Sequence, residues 1–252
     1  MKQFFQKFPE ATIAVGEERR LAIPNIIRDR PGTDVVVMDD AFQHRSVKAG
    51  LNILLTDYSH LFTRDWFLPT GNLRDAKSSY KRADIIVVTK ADPTLSVSQK
   101  AGLTAEIRPV PGQEVFFSAI AYGMPYAIFS RAEVKKPDDQ EIMLLTGIAN
   151  PAPLKKHIME NAVLADEIIF NDHHNFTAAD LDLVRERFKG MKANNKLILT
   201  TEKDAVRLLA FKKQIQGLPI YVIPIQTRFL FDGEHRFNDI ITTFIQRSGN
   251  KQ

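Results

Sequence analysis

Short apolar runs that stop abruptly on polar residues recur along this chain, and they set the kind of fold it can adopt. Val35-Val36-Val37-Met38 ends on Asp39-Asp40, the strand predicted over 51–57 ends on Thr56-Asp57, and the one predicted over 83–90 ends on Thr89-Lys90. Runs this short and unalternating suit strands buried on both faces, as in a parallel sheet covered by helices. Further strands are predicted over 12–15, 142–145, 167–170, 197–200 and 220–223, and helices over 17–30, from about 152, and over 178–189. Residues 115–119 and 127–129 flank Tyr122-Gly123-Met124-Pro125 and read as two strands around a turn. Strand–helix–strand alternation at this spacing predicts an α/β protein. Lys135-Lys136-Pro137-Asp138-Asp139 is the best linker, which predicts two lobes, 1–137 and 138–252.

Composition narrows the function classes. With no cysteine, disulfides and cysteine-ligated metal sites are excluded. No apolar stretch reaches the roughly 18 residues that a membrane-spanning helix needs. A net charge of +4 suits anionic partners such as ATP, a glycolipid phosphate or an anionic membrane surface, although the cations are scattered. Nothing resembles a zinc finger, an RNA-recognition signature or a basic–aromatic stripe, so nucleic acid is not an expected partner. Phe4, Phe5 and Phe8 share helical spacing, which fits the core face of a short helix or a membrane contact.

Asp39 and Asp40 are the first candidate site. Carboxylates after a strand either cap the following turn or face the crevice where α/β sheets bind ligands. In that crevice they would hold Mg²⁺ together with substrate phosphates, as a Walker-B-like aspartate does. Gln43 and His44 follow within reach of the same crevice, and for His44 a structural hydrogen bond and a substrate contact both stay open.

The block Asp39-Asp40-Ala41-Phe42-Gln43-His44 resembles the DDGFQH/DDGLQH signature of the tetraacyldisaccharide 4'-kinases, enzymes of lipid A biosynthesis. Three more blocks are similar to that family in order: Leu68-Pro69-Thr70-Gly71-Asn72-Leu73-Arg74-Asp75, Asn171-Asp172-His173-His174-Asn175-Phe176, and Thr201-Glu202-Lys203-Asp204-Ala205-Val206. The resemblance implies two Rossmann-like α/β/α lobes, the first a P-loop-kinase-like sheet. It implies ATP and Mg²⁺ as cofactors and a tetraacyl disaccharide 1-phosphate as the acceptor. It also implies peripheral contact with the cytoplasmic face of the inner membrane.

Residue by residue, the resemblance makes Asp39 and Asp40 metal-side carboxylates, Asp40 also catalytic, and Arg74 a clamp on developing phosphate charge. Gln43, Asp75 and Lys203 become nucleotide-side candidates, Asp75 standing where the family has Glu. His173 becomes the partner of a catalytic aspartate in activating the sugar hydroxyl. Adjacent residues of an extended segment face opposite ways, so His174 is expected to point elsewhere. Thr201 reads as a helix N-cap, with Asp204 completing a capping box.

The family's phosphate loop, GxxxxGK[ST], has no counterpart in these 252 residues, whose first glycine is Gly16. The chain therefore reads as N-terminally incomplete, its first sheet expected to lack an opening strand and phosphate loop. A separate P-loop-bearing chain is one expected partner. The rival signal is Thr89-Lys90-Ala91-Asp92, which resembles the guanine-reading [NT]KxD of GTPases but also reads as a turn before Pro93.

Overall fold

The structure, a computed structural model, describes residues 7–132, 140–172 and 174–249. The linker at 135–139, Phe4, Phe5 and His173 lie outside the described residues. Along the chain run α1 (Arg19–Asp29), β1 (Ile53–Asp57), β2 (Ile85–Thr89), α2 (Val97–Ile107), β3 (Glu114–Tyr122), β4 (Tyr126–Ala127) and β5 (Glu141–Thr146). These are followed by α3 (Ala152–Asn161), β6 (Val163–Ile169), α4 (Ala178–Gly190), β7 (Lys196–Thr201), α5 (Glu202–Leu208) and α6 (Lys212–Ile215). The last elements are β8 (Ile220–Ile223), β9 (Ile225–Phe229) and α7 (Gly233–Gly249).

Two compact units interleave in sequence: residues 14–121 with 227–252, and residues 1–13 with 122–226. This division differs from the boundary expected at 137/138. The reason is packing: α7 lays Phe237, Ile240 and Ile241 on Ile85, Val87 and Phe116, so the C-terminal helix belongs with the early strands.

The first unit holds the sheet β1-β2-β3-β9. Pairing is parallel from β1 to β2 (Ile53↔Ile85) and from β2 to β3 (Ile85↔Glu114). Because side chains alternate across a strand, Ile86, Val88 and Phe117 pack with Leu61 and Ile107 on one face, while Ile85, Val87 and Phe116 meet α7 on the other. Helix α2 starts at a full capping box, Ser96 with Gln99.

The second unit holds the sheet β4-β8-β7-β5-β6, parallel except for the short β4 against β8. Met143, Leu145 and Ile198 join Val184, Leu208 and Phe176 on one face. On the other face, Ile142, Leu144, Leu197 and Leu199 join Leu154 and Ile158 of α3. Both faces are covered, as the unalternating apolar runs required. The expected α/β class with parallel sheets is what forms.

Three expectations fail. Val35–Met38 is extended but joins no ladder, and Val35, Val36 and Val37 are 44%, 36% and 89% exposed. Residues 12–15 likewise form no strand, and Val15 is 75% exposed. An apolar run becomes a strand only when its backbone groups find partners, and β1 forms the edge of the described sheet. Nor do the runs around Tyr122–Pro125 pair with each other: β3 joins β2 while β4 joins β8. The Gly123 N–H instead bonds the Pro224 carbonyl at 2.9 Å, which turns the chain away from hairpin closure.

Candidate active site

In the first unit, two of the family-like blocks meet. Asp39 and Asp40 sit on an exposed turn, with Asp40 at φ 48°. Asp tolerates this left-handed backbone because its short polar side chain can bond locally. The Arg74 guanidinium approaches the Asp40 carboxylate at 3.6 Å. One residue on, Asp75 accepts from Arg45 at both oxygens (3.0 and 3.1 Å) and from Arg82 at 2.9 Å. Arg82 also lies 4.5 Å over the Phe42 ring. The Ala76 N–H first, then Arg45 and the Ser79 hydroxyl, hold the Asp75 carboxyl below its usual range. Its oxygens thus have protein partners, and Asp75 acts here as a clamp between the two blocks. Gln43 and His44 are exposed on the same loop. An open cleft of about 1360 Å³ runs between Val35–His44, β1 and the apolar face of α7.

The ends of β1 and β2 carry the rival signal. Lys90 donates to Asp57 at 2.7 Å, while Asp92 folds back onto the Thr94 N–H and hydroxyl at 2.8 and 2.6 Å. Burial alone would raise the Asp57 pKa, but Lys90 and Ser59 outweigh it and bring it from 3.8 to about 2. Asp92 is therefore shaped as a turn, as the alternative reading had it.

In the second unit, parallel strands β5, β6 and β7 bring their C-terminal ends side by side. Lys203, just past β7, donates to Asp172, just past β6, at 2.7 Å. Beneath them Asp204 is fully buried and accepts from the Thr146 hydroxyl (2.9 Å), the Gly147 N–H (3.1 Å) and the Thr201 hydroxyl (2.8 Å), with Arg207 at 3.3 Å. Thr201 caps α5 by accepting from the Asp204 N–H, as expected. The return link runs from its hydroxyl to the Asp204 carboxylate rather than from backbone to side chain. A Cβ on Gly147 would lie 3.2 Å from the Asn171 carbonyl and 3.3 Å from the His174 Cβ, so a side chain there would push these ends apart by a few tenths of an ångström.

His174 is not turned idly away. Its ring stacks on Phe170 (4.1 Å, 5°), meets Phe176 edge-on, and bonds Asp180 at 2.9 Å. Burial would raise the Asp180 pKa, but His174 and Thr177 offset this and lower it. His173 itself falls outside the described residues. Sequence reasoning missed Arg45, Arg82, Gly147 and the hub role of Asp204. Arg45 directly follows His44 and Asp204 lies inside a quoted block, so only their long-range partners were hidden.

Does this site fit Mg²⁺? Among the described residues, no three His, Asp or Glu side chains gather as an all-protein cage. Two adjacent exposed carboxylates are the donor set of an ion that keeps waters and takes phosphate oxygens. Asp39 and Asp40 fit that description.

Parallel strands handing acidic and basic loops to one end of each sheet define an α/β protein with two mostly parallel sheets. The solved apo-form LpxK from Aquifex aeolicus, in complex with ATP, shares that fold with a TM-score of 0.54 at 21% identity. The match covers 82% of this chain and 56% of that one. A tetraacyldisaccharide 4'-kinase of Phocaeicola vulgatus is 37% identical over 98% of this chain and 69% of its own length. One of Flavobacterium johnsoniae is likewise 37% identical over 98% and 69%. The family model for tetraacyldisaccharide-1-P 4'-kinase matches residues 3–246. The chain belongs to that family.

Proposed function

We propose that this protein transfers the γ-phosphoryl group of ATP to the 4'-hydroxyl of a tetraacyl disaccharide 1-phosphate in lipid A biosynthesis. It works at the cytoplasmic face of the inner membrane as a peripheral protein. The observation that carries this reading, in a chain of this family, is the meeting of Asp40 with Arg74 across two separate sequence blocks. Phosphoryl transfer asks a protein mostly for positioning and charge stabilisation. Asp39 and Asp40 would hold Mg²⁺, which when bound neutralises phosphate charge. Arg74 is placed to swing from Asp40 to the transferring oxygens, and Asp75 holds its neighbourhood through Arg45 and Arg82. In the second unit, His173 follows Asp172 in sequence and takes the acceptor hydroxyl's proton, while Lys203 supports the nucleotide.

The test is label transfer from radiolabelled ATP to the disaccharide lipid by the protein as encoded, with Mg²⁺ supplied or chelated. Label in the lipid that disappears on chelation is expected. A labelled product with GTP but not ATP would overturn the reading.

A further inference from the structure

We propose that the loop Trp66-Phe67-Leu68 is an interfacial anchor that inserts into an anionic bilayer. Isolated exposed apolar residues are ordinary. Here three consecutive ones are 69%, 49% and 59% exposed.

The loop that displays them is built, not slack. Asp65 accepts from the Trp66 and Asn72 N–H groups at 2.8 and 3.2 Å. Leu68 and Leu73 bond across it, N–H to carbonyl at 3.2 Å, and the Leu73 N–H reaches Trp66 at 3.0 Å. Thr70 and Gly71 both donate to the Phe67 carbonyl. A Cβ on Gly71 would run into the Trp66 carbonyl, so this closure needs glycine. A fixed apolar tip inserts without first losing loop entropy, which favours binding.

Charge complementarity selects the occupant. From Arg64 to Arg82 inclusive, five cations stand against Asp65 and Asp75. Arg64, Arg74 and Arg82 pair with Glu106, Asp40 and Asp75, and Lys77 and Lys81 carry the local positive excess. Lys77 sits 5.4 Å from the centre of the Trp66 ring, and Lys81 is exposed. Tryptophan backed by lysine is the composition that settles at headgroup depth on an anionic leaflet. Among the described residues no helix is long and apolar enough to cross a membrane, so such a contact would lie on the surface. This deepens the peripheral-membrane reading above and rests on it only for the choice of a bilayer as partner.

Trp66 is the only tryptophan in the chain, so its emission reports on this loop alone. The protein is titrated with vesicles of phosphatidylcholine, with and without phosphatidylglycerol, and with brominated acyl chains as quenchers. A blue shift and bromine quenching that need phosphatidylglycerol are expected. Changing Phe67→Ser together with Leu68→Ser should weaken partitioning about tenfold or more, while the thermal melt stays as in the parent. Sedimentation with vesicles while Trp66 keeps its aqueous emission would overturn the proposal. So would a blue shift that grows with protein concentration in the absence of lipid, which marks a second copy as the occupant. Should the double variant misfold, quenching of the unaltered protein still decides. The assay contains neither ATP nor acceptor lipid, so failure of the kinase reading leaves its outcome untouched.

Discussion

Asp40 and Arg74 each keep more than half of their side chain exposed, and such pairs contribute at most about 1 kcal/mol to stability. Their value lies in chemistry. Asp40→Ala and Asp39→Ala are expected to lower phosphoryl transfer at least about 100-fold with almost no change in melting temperature. Near-parental rates at limiting Mg²⁺ would refute the metal-side assignment. His174 should behave in the opposite way. His174→Ala removes a stacked ring and leaves Asp180 without one partner, which costs roughly 1–3 kcal/mol in denaturant unfolding. This packing was hidden from a linear reading, because alternation in an extended segment says which way a ring points and nothing about what receives it. Asp57 offers a pH test. Its folded pKa is depressed from 3.8 to about 2, so its stabilising effect is present above about pH 4 and fades as pH falls towards 2. Asp57→Asn should therefore be less stable than the parent at neutral pH and match it near pH 2. A constant gap between the two melting curves across that range would exclude the Asp57–Lys90 pair as the cause.

At the scale of elements, the strands with covered faces were legible, and the two runs left without ladder partners, 12–15 and 35–38, were not. Ile85–Val88, Ile142–Leu145 and Leu197–Thr200 became buried strands because each finds neighbours on both edges and apolar cover on both faces. Val35–Met38 has the same composition, but ladder partners are a property of topology, which no local pattern encodes. The loops at strand ends were legible as motifs, since Asp and Arg beside apolar runs announce themselves, whereas the contacts among them were not. Asp204 shows the difference. Its spacing to Thr201 predicted a helix cap, yet its larger role is to join the end of β5 to the start of α5 through Thr146 and Gly147. Asp204→Ala would strand buried donors and leave Arg207 without this carboxylate. The expected cost is about 3–5 kcal/mol, read by urea unfolding, with amide exchange accelerated first at Thr146–Gly147. A loss under about 1 kcal/mol would show that water replaces the carboxylate and that it is not a structural hub.

The whole molecule is where the linear reading departs furthest, because compactness is decided by which surfaces cover each other and not by order along the chain. A linker rich in Lys, Pro and Asp looked like a boundary, and a boundary after 137 assigns α7 to the later strands. Packing assigns it otherwise. Phe237, Ile240 and Ile241 cover Ile85, Val87 and Phe116 of the early sheet, and Arg236 bonds Glu114 at 2.5 Å. The later unit, for its part, takes in β4, whose Tyr126 and Ala127 pair with Val222 and Tyr221. These assignments separate two fragments that sequence alone would rank the other way round. Residues 122–226 contain every strand of the sheet β4-β8-β7-β5-β6 with α3, α4 and α5. This fragment is expected to unfold in one cooperative transition. Residues 138–252 lose β4 and carry α7 with its apolar face uncovered. Burial of large apolar side chains is worth about 1.5–3 kcal/mol each, so this fragment should be the less stable of the two and prone to associate. Urea unfolding followed by circular dichroism, with light scattering for association, compares them directly. A cooperative, monomeric 138–252 alongside a molten 122–226 would show that the linker, and not the packing of α7, marks the true division.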